Sequence, residues 1–203
     1  MDGASLIVGL GNPGPEYAQT RHNMGFQVVE CLAGRWGAVW KNVGKFKGRL
    51  ARIERPRGRV WLCQPQTYMN LSGVTVRAVL DYYQVPLNGL LVVVDDADLP
   101  LGEIRLRPCG GSGGHHGLES VAAHLGTRDY ARLRVGIGRR AGAERHLTGH
   151  VLGAFAAEET AVAGQAIARA ASQAECWLDA GIVEAMNKFN GAVESPGSER
   201  ECK

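Results

Sequence analysis

The stretch LLVVVDDADLPLG, Leu90–Gly102, sets the fold class of this 203-residue chain. Its first five residues are leucine and valine without polar alternation, as in a central strand covered on both faces. Asp95-Asp96-Ala97-Asp98 then puts carboxylates at the carboxyl end of that strand. Outward from it, helical periodicity recurs between strand-like runs. Phe26, Val29, Ala33 and Trp36 keep helical spacing after a candidate N-cap at Asn23. Val76, Val79, Leu80 and Tyr83 form a second stripe, capped by Asn70 or Ser72 and ended before Pro86. A helix is expected over Leu118–Leu125, a long one over Ala156–Leu178, and a short one near Val183–Phe189. The long helix should turn Val162, Ile167, Ala170, Ala174 and Trp177 inward. Ser5–Gly9, Arg49–Glu54, Arg59–Cys63, Glu103–Arg107 and Leu133–Ile137 read as strands. Interleaved strands and helices predict an α/β fold: a single domain with a twisted, mixed (partly parallel) β-sheet surrounded by helices. The domain is expected over residues 1–190, and the polar residues 191–203 as a mobile tail.

Composition narrows the functional classes. A chain of this length with 45% hydrophobic residues fills one core. The five cysteines (Cys31, Cys63, Cys109, Cys176, Cys202) are odd in number and form no C-x-x-C pair. They indicate a reducing, cytoplasmic compartment and neither a disulfide framework nor structural zinc. No leader peptide is expected, and no apolar run approaches the roughly 18–20 residues of a membrane span. The net charge of +3 is unevenly spread: eight basic residues lie between Lys41 and Arg59 against Glu54 alone, and eight arginines between Arg105 and Arg145. These charges read either as solvated strand edges that resist aggregation or as a face for a polyanion.

Gly9-x-Gly11-x-x-Gly14 follows the first strand and spells a dinucleotide fingerprint. A dinucleotide site needs its third glycine to open a helix, and an acid at the end of a second strand about 20 residues on. Here Pro13 and Pro15 bracket Gly14, a polar stretch follows, and Glu30 falls inside a helical pattern. The context fails, so neither NAD nor FAD is expected.

That loop offers side-chain chemistry instead. Asn12, Tyr17, Arg21, His22 and Asn23 lie just beyond the first strand, where open α/β sheets place ligands. A carboxylate from the Asp95-Asp96-Ala97-Asp98 end could orient His22 as a general base. The same acids could instead hold a divalent metal, but the adjoining Leu99-Pro100-Leu101-Gly102 reads as a structural turn. The loop Gln66-Thr67-Tyr68-Met69-Asn70 adds an amide and an aromatic ring. Gly110–Gly117 is a glycine-rich loop opening a helix, suited to a phosphate or to a flexible turn. His115 and His116, being adjacent, make a poor pair of metal ligands. No serine or cysteine is expected to serve in a strand-to-helix nucleophile elbow, so the nucleophile of a hydrolase here is expected to be water.

Five ordered motifs carry a family resemblance: GLGNPGPEYAQTRHNMGF (Gly9–Phe26), PQTYMNLSG (Pro65–Gly73), VDDADLPLG (Val94–Gly102), GGSGGHHGLES (Gly110–Ser120) and RLRVGIGR (Arg132–Arg139). Together they resemble the bacterial-type peptidyl-tRNA hydrolases. The resemblance implies a monomeric cytoplasmic enzyme, without metal or cofactor, that cleaves the ester between a peptide and the 3′-terminal ribose of tRNA. It implies His22 as catalytic base, Asp96 as its stabilising carboxylate, and Asn12 as the amide that tells peptidyl-tRNA from aminoacyl-tRNA. Tyr17, Tyr68 and Asn70 match substrate contacts, and Met69 a wall of the cleft. His116 stands where the family typically has asparagine, and is expected to position the 3′ end or the water. Arg105, Arg107 and Arg134 match basic positions facing the acceptor stem and 3′ CCA end. The rival reading is a non-catalytic RNA-binding relative, which would have no need of His22, Asp96, Asn12 and Asn70 together.

Overall fold

The structure, a computed structural model, describes residues 3–139 and 147–192. Among these, the strands are β1 (Ser5–Gly9), β2 (Lys41–Val43), β3 (Gly48–Arg55), β4 (Gly58–Pro65), β5 (Leu90–Asp96), β6 (Glu103–Arg107), β7 (Ala131–Gly136) and β8 (Gly191–Ala192). The helices are α1 (Met24–Trp36), α2 (Ser72–Tyr83), α3 (His116–Leu125), α4 (Leu147–Val151), α5 (Ala157–Ala180) and α6 (Ile182–Phe189). One mixed sheet runs in the order β2-β3-β4-β1-β5-β7-β6-β8. Its centre, β4-β1-β5-β7, is parallel, while the pairings that add β3 and β2 on one side and β6 and β8 on the other are all antiparallel.

The opening stretch does what its composition demands. Leu91 and Val93 join the core under α1 and α5, and Leu90, Val92 and Val94 the core under α2 and α3. All five are completely buried. Both faces of β5 are therefore covered, so its carboxyl end is where polar groups can reach solvent.

The glycines of the first loop serve packing. A Cβ on Gly9 would collide with the Gly25 carbonyl, and one on Gly25 with the Val93 carbonyl and the Leu10 backbone. The pair lets the start of α1 lie directly on β1 and β5, a close approach that only glycine permits. Helix α1 begins at Met24, not at Gly14, so the fingerprint spacing does not open a helix.

Several local expectations change. Asn23 sits at the N-cap position, but its side chain does not cap α1. The Asn12 N–H donates to Asn23 Oδ1 at 2.8 Å, and Asn23 Nδ2 donates to the Asn12 carbonyl at 3.0 Å. Neither Asn70 nor Ser72 caps α2, whose N-cap position is Leu71. Along α5 the buried face is Ala163, Ala166, Ala170, Ala171, Ala174 and Trp177, with Val162 and Ile167 displaced to its half-buried flank. Small side chains let that helix approach the sheet and α1 closely, so the larger aliphatics move aside. Gly191 and Ala192, the first residues of the expected tail, pair with Ile104 and Glu103 as β8, and 193–203 lie outside the described residues.

Half of the basic residues in the run Lys41–Arg59 are paired with carboxylates. Arg49 pairs with Glu30, Arg52 and Arg59 with Glu54, and Arg55 with Asp179. These surface pairs favour the strand-edge reading for that segment.

Candidate active site

The parallel strands bring the loops after β1 and β5 together at their carboxyl ends, the usual ligand position of such sheets. A cavity of about 260 Å³ opens there, lined by Asn12, His22, Asp95, Asp96, Ala97, Asp98, the Gly113–His116 loop, Arg134, Arg139, Val151 and Leu152.

At its base, His22 Nδ1 lies 2.9 Å from Asp95 Oδ1, and His115 Nε2 lies 3.1 Å from the same oxygen. The tautomers follow from the partners. His115 Nδ1 accepts from the backbone N–H groups of Gly117 and Leu118, at 3.1 and 3.3 Å, so its proton sits on Nε2 and is donated to Asp95. A carboxylate only accepts, so His22 donates through Nδ1 and leaves the Nε2 lone pair for other chemistry. The two rings tilt at 46° with centroids 5.1 Å apart. Burial pushes the Asp95 carboxyl up, but the hydrogen bonds and charge of His115 and His22 prevail and hold it well below the usual carboxylate range.

This corrects the expected partner of His22. Asp96 does not touch His22: its Oδ2 accepts from Arg134 Nη1 at 2.9 Å, and its Oδ1 from the Asp98 N–H at 2.8 Å. Successive residues of a strand point in opposite directions, and Asp95 shares the parity of Leu91 and Val93, the face that α1 covers. His22 enters from the turn that opens α1, so it meets Asp95. Asp98 in turn pairs with Arg139.

Each carboxylate of the acidic stretch thus has its own basic partner, which weighs against a divalent-metal site built from all three. His22, Asp95 and His115 place ligand atoms within 4.8 Å of one another, and an ion could sit among them. It would have to displace both N–H···O bonds.

Asn12 is placed with equal care. Its backbone is held by Asn23, and its side-chain Oδ1 accepts from the Met69 N–H at 2.9 Å. With Oδ1 committed, Nδ2 is the end of the amide able to serve a ligand. Met69 is buried beside Asn12, and its sulfur lies against Gly117 where a Cβ would collide with it. His116 lines the rim, largely exposed, with Nδ1 3.1 Å from Glu119 Oε2.

Other expected residues stand outside the cavity lining. Tyr17 lies in the 3-10 turn Pro15–Tyr17, and Tyr68 and Asn70 are exposed beside Met69. Arg105 and Arg107 lie opposite Arg134 and Arg132 across β6 and β7, so four arginines share one face. Arg105 pairs with Glu103 at 3.0 Å, and Arg107 is exposed. Arg134 is turned inward, donating to Asp96 and to the Gly111 and Ser112 carbonyls. Arg132 is buried and donates to the carbonyls of Gly110, Gly111, Arg128 and Tyr130. These two arginines shape the glycine loop that carries His115 and His116.

His115 is the residue the sequence reading did not place in the site. Its signal is its position, just before an apolar-periodic helix, but histidine is not a usual N-cap and the apolar spacing starts only at Leu118.

Fold and site define an α/β enzyme with a histidine–carboxylate–histidine network in a cleft at the carboxyl ends of parallel strands. Residues 6–197 match the family described as peptidyl-tRNA hydrolase. The chain is 48% identical over 196 residues to the peptidyl-tRNA hydrolase of Synechococcus sp. (strain JA-3-3Ab), spanning 97% of this chain and 86% of that protein. It is 48% identical over 185 residues to that of Geobacillus kaustophilus (strain HTA426), spanning 91% and 98%. The crystal structure of peptidyl-tRNA hydrolase from Acinetobacter baumannii matches at 42% identity with a TM-score of 0.88, over 95% of this chain and 97% of that one. The chain belongs to the peptidyl-tRNA hydrolase family.

Proposed function

We propose that this protein hydrolyses the ester of peptidyl-tRNA with a water activated by His22, and that Asp95, not Asp96, orients that base. Family membership supplies the reaction, which releases free tRNA for reuse in translation. The observation that carries the assignment of roles is the 2.9 Å contact between His22 Nδ1 and Asp95 Oδ1 inside the cleft, which leaves Nε2 as the base. His22 Nε2 takes a proton from water as its oxygen attacks the ester carbonyl. Asp95 stabilises the imidazolium that forms. Collapse of the tetrahedral intermediate breaks the bond to the ribose 3′ oxygen, which receives the proton back from His22.

Asn12 Nδ2 is the donor for the acyl carbonyl. A donor aimed at a developing oxyanion is typically worth about 3–4 kcal/mol. Asn12 also contributes to preference for a blocked amine, as the resemblance implies. Met69 walls the cleft, Tyr17, Tyr68 and Asn70 contact substrate at its edge, and His116 positions the 3′ end or the water from the rim. Arg105 and Arg107 meet tRNA phosphates at the acceptor stem, a contact that needs no base sequence. Arg134 serves the same face indirectly, by holding the glycine loop. The reading is of a cytoplasmic monomer with no metal or cofactor. A non-catalytic RNA-binding relative has no use for a buried carboxylate shared by two histidines, and is not favoured.

The test compares N-acetylaminoacyl-tRNA with unblocked aminoacyl-tRNA. The wild-type protein should cleave the blocked species selectively, and His22→Ala should lose turnover while still binding tRNA. Undiminished turnover in His22→Ala overturns the base assignment.

A further inference from the structure

The residue before His22 is a buried arginine that the reaction scheme does not use. Arg21 is only 5% exposed. It reaches across to the segment between α4 and α5, at several points. Its backbone N–H donates to the Gly153 carbonyl at 3.0 Å, beside an isolated bridge between Thr20 and Ala154. Nη2 lies 2.6 Å from Glu159 Oε2, and Nη1 3.5 Å from the His150 carbonyl. The guanidinium carbon stands 5.0 Å from the centre of the Phe155 ring. Glu159 Oε2 also accepts from the Ala156 N–H at 2.8 Å, so the carboxylate that holds Arg21 also closes the first turn of α5.

What Arg21 grips is a wall of the cleft. Val151 and Leu152, immediately before Gly153, line the cavity together with His22. The segment has a second tether, His150 Nε2 to the Gly138 carbonyl at 2.7 Å. Gly153 leaves room for the guanidinium, since a Cβ there would approach Nη1 to 3.2 Å.

We infer that Arg21, locked by Glu159, is a positioning residue that sets the spacing between His22 and the apolar Val151–Leu152 wall. The ion pair does not touch substrate. It fixes how far the base stands from the surface opposite, and so where a bound ester rests relative to Nε2. Displacing a reacting group by about 1 Å can cost on the order of a hundredfold in rate, even when the altered residue lies away from the chemistry. The arginine suits this task because its planar fork engages a carboxylate and a carbonyl at once, which a lysine cannot reproduce. The inference rests on His22 being the base, so the experiment carries a control for that reading.

The test measures kcat and KM on N-acetylaminoacyl-tRNA for Arg21→Met, Arg21→Lys, Glu159→Gln and His22→Ala, with thermal melts of each. Arg21→Met should lower kcat ten- to a hundredfold with KM for the tRNA substrate within about twofold. Arg21→Lys should recover part of that loss, and Glu159→Gln should lower kcat in the same direction. A double Arg21→Met/Glu159→Gln protein should be no worse than Arg21→Met, because the two act through one bond. Unchanged kcat in a folded Arg21→Met protein overturns the inference, as does a loss in which kcat, KM and melting temperature all fall together. If Arg21→Met does not fold, Glu159→Gln decides: an unchanged kcat there is equally fatal. Retained turnover in His22→Ala would instead overturn the base assignment, so the two failures are distinct.

Discussion

Replacing Asp95 by asparagine, beside the same change at Asp96, probes the site most directly. Asp95→Asn keeps the shape of the side chain and an oxygen that can accept from both His22 Nδ1 and His115 Nε2, at present 2.9 and 3.1 Å away. What it removes is the negative charge facing the imidazolium that forms when His22 takes a proton. With charge centres about 4 Å apart and an effective dielectric near 20, that attraction is about 4 kcal/mol. A smaller ion–dipole attraction already exists in the ground state, so the net loss of transition-state stabilisation is about 3 kcal/mol, roughly two powers of ten in kcat. Asp96→Asn leaves His22 untouched and weakens only the 2.9 Å contact with Arg134, so its effect on kcat should be about tenfold or less. The assay is single-turnover release of tRNA from N-acetylaminoacyl-tRNA with enzyme in excess, which isolates the chemical step from product release. A loss in Asp96→Asn equal to or greater than that in Asp95→Asn would refute the pairing and the strand-parity reasoning behind it.

Three other outcomes follow from contacts described above. Asn12→Asp keeps the acceptor for the Met69 N–H but loses the Nδ2 donor, so kcat should fall by about two powers of ten in the same assay with the fold intact. Gly25→Ala drives a methyl into the Val93 carbonyl and the Leu10 backbone, where nothing can rotate away. It should cost about 3 kcal/mol or more in urea unfolding. Finally, the Asp95 carboxyl is depressed in the folded protein, so the stability it contributes is fully present above the unfolded value of about 3.9 and is lost as pH falls through the lower folded value. Denaturation of wild type and Asp95→Asn should therefore differ at neutral pH and converge in strong acid.

The parts of the fold legible in the sequence were those where burial imposes a one-dimensional pattern. Leu90–Val94 and Glu103–Arg107 read correctly because one is covered on both faces and the other alternates. Helices α1 and α2 followed from spaced apolar residues. Strand β2, with three residues, helix α4, with five, and strand β8, with two, were not legible. Strand β8 depends on β6, far back along the chain, whereas β2 lies close in sequence to its partner β3 but is three residues without an apolar face.

The site divides along the same line. Residue types and their places at strand ends pointed to His22, Asn12 and the acidic stretch. Choosing between Asp95 and Asp96 needed the strand's parity and the knowledge that α1 covers the Leu91 and Val93 face, which only the packed structure supplies. The resemblance puts Arg134 among the basic positions facing tRNA, and a sequence does not show that the Gly111 and Ser112 carbonyls and Asp96 claim its guanidinium.

His115 holds two structures together with one ring. Its Nδ1 lone pair accepts from the amides that begin α3, and its Nε2 proton goes to the carboxylate that orients His22. Losing either nitrogen would therefore act at two places at once: the amides of Gly117 and Leu118 share one side chain with the carboxylate that orients the base. The start of a helix and the setting of the catalytic histidine are thus a single mechanical unit, and a repacking of α3 would be felt at Asp95.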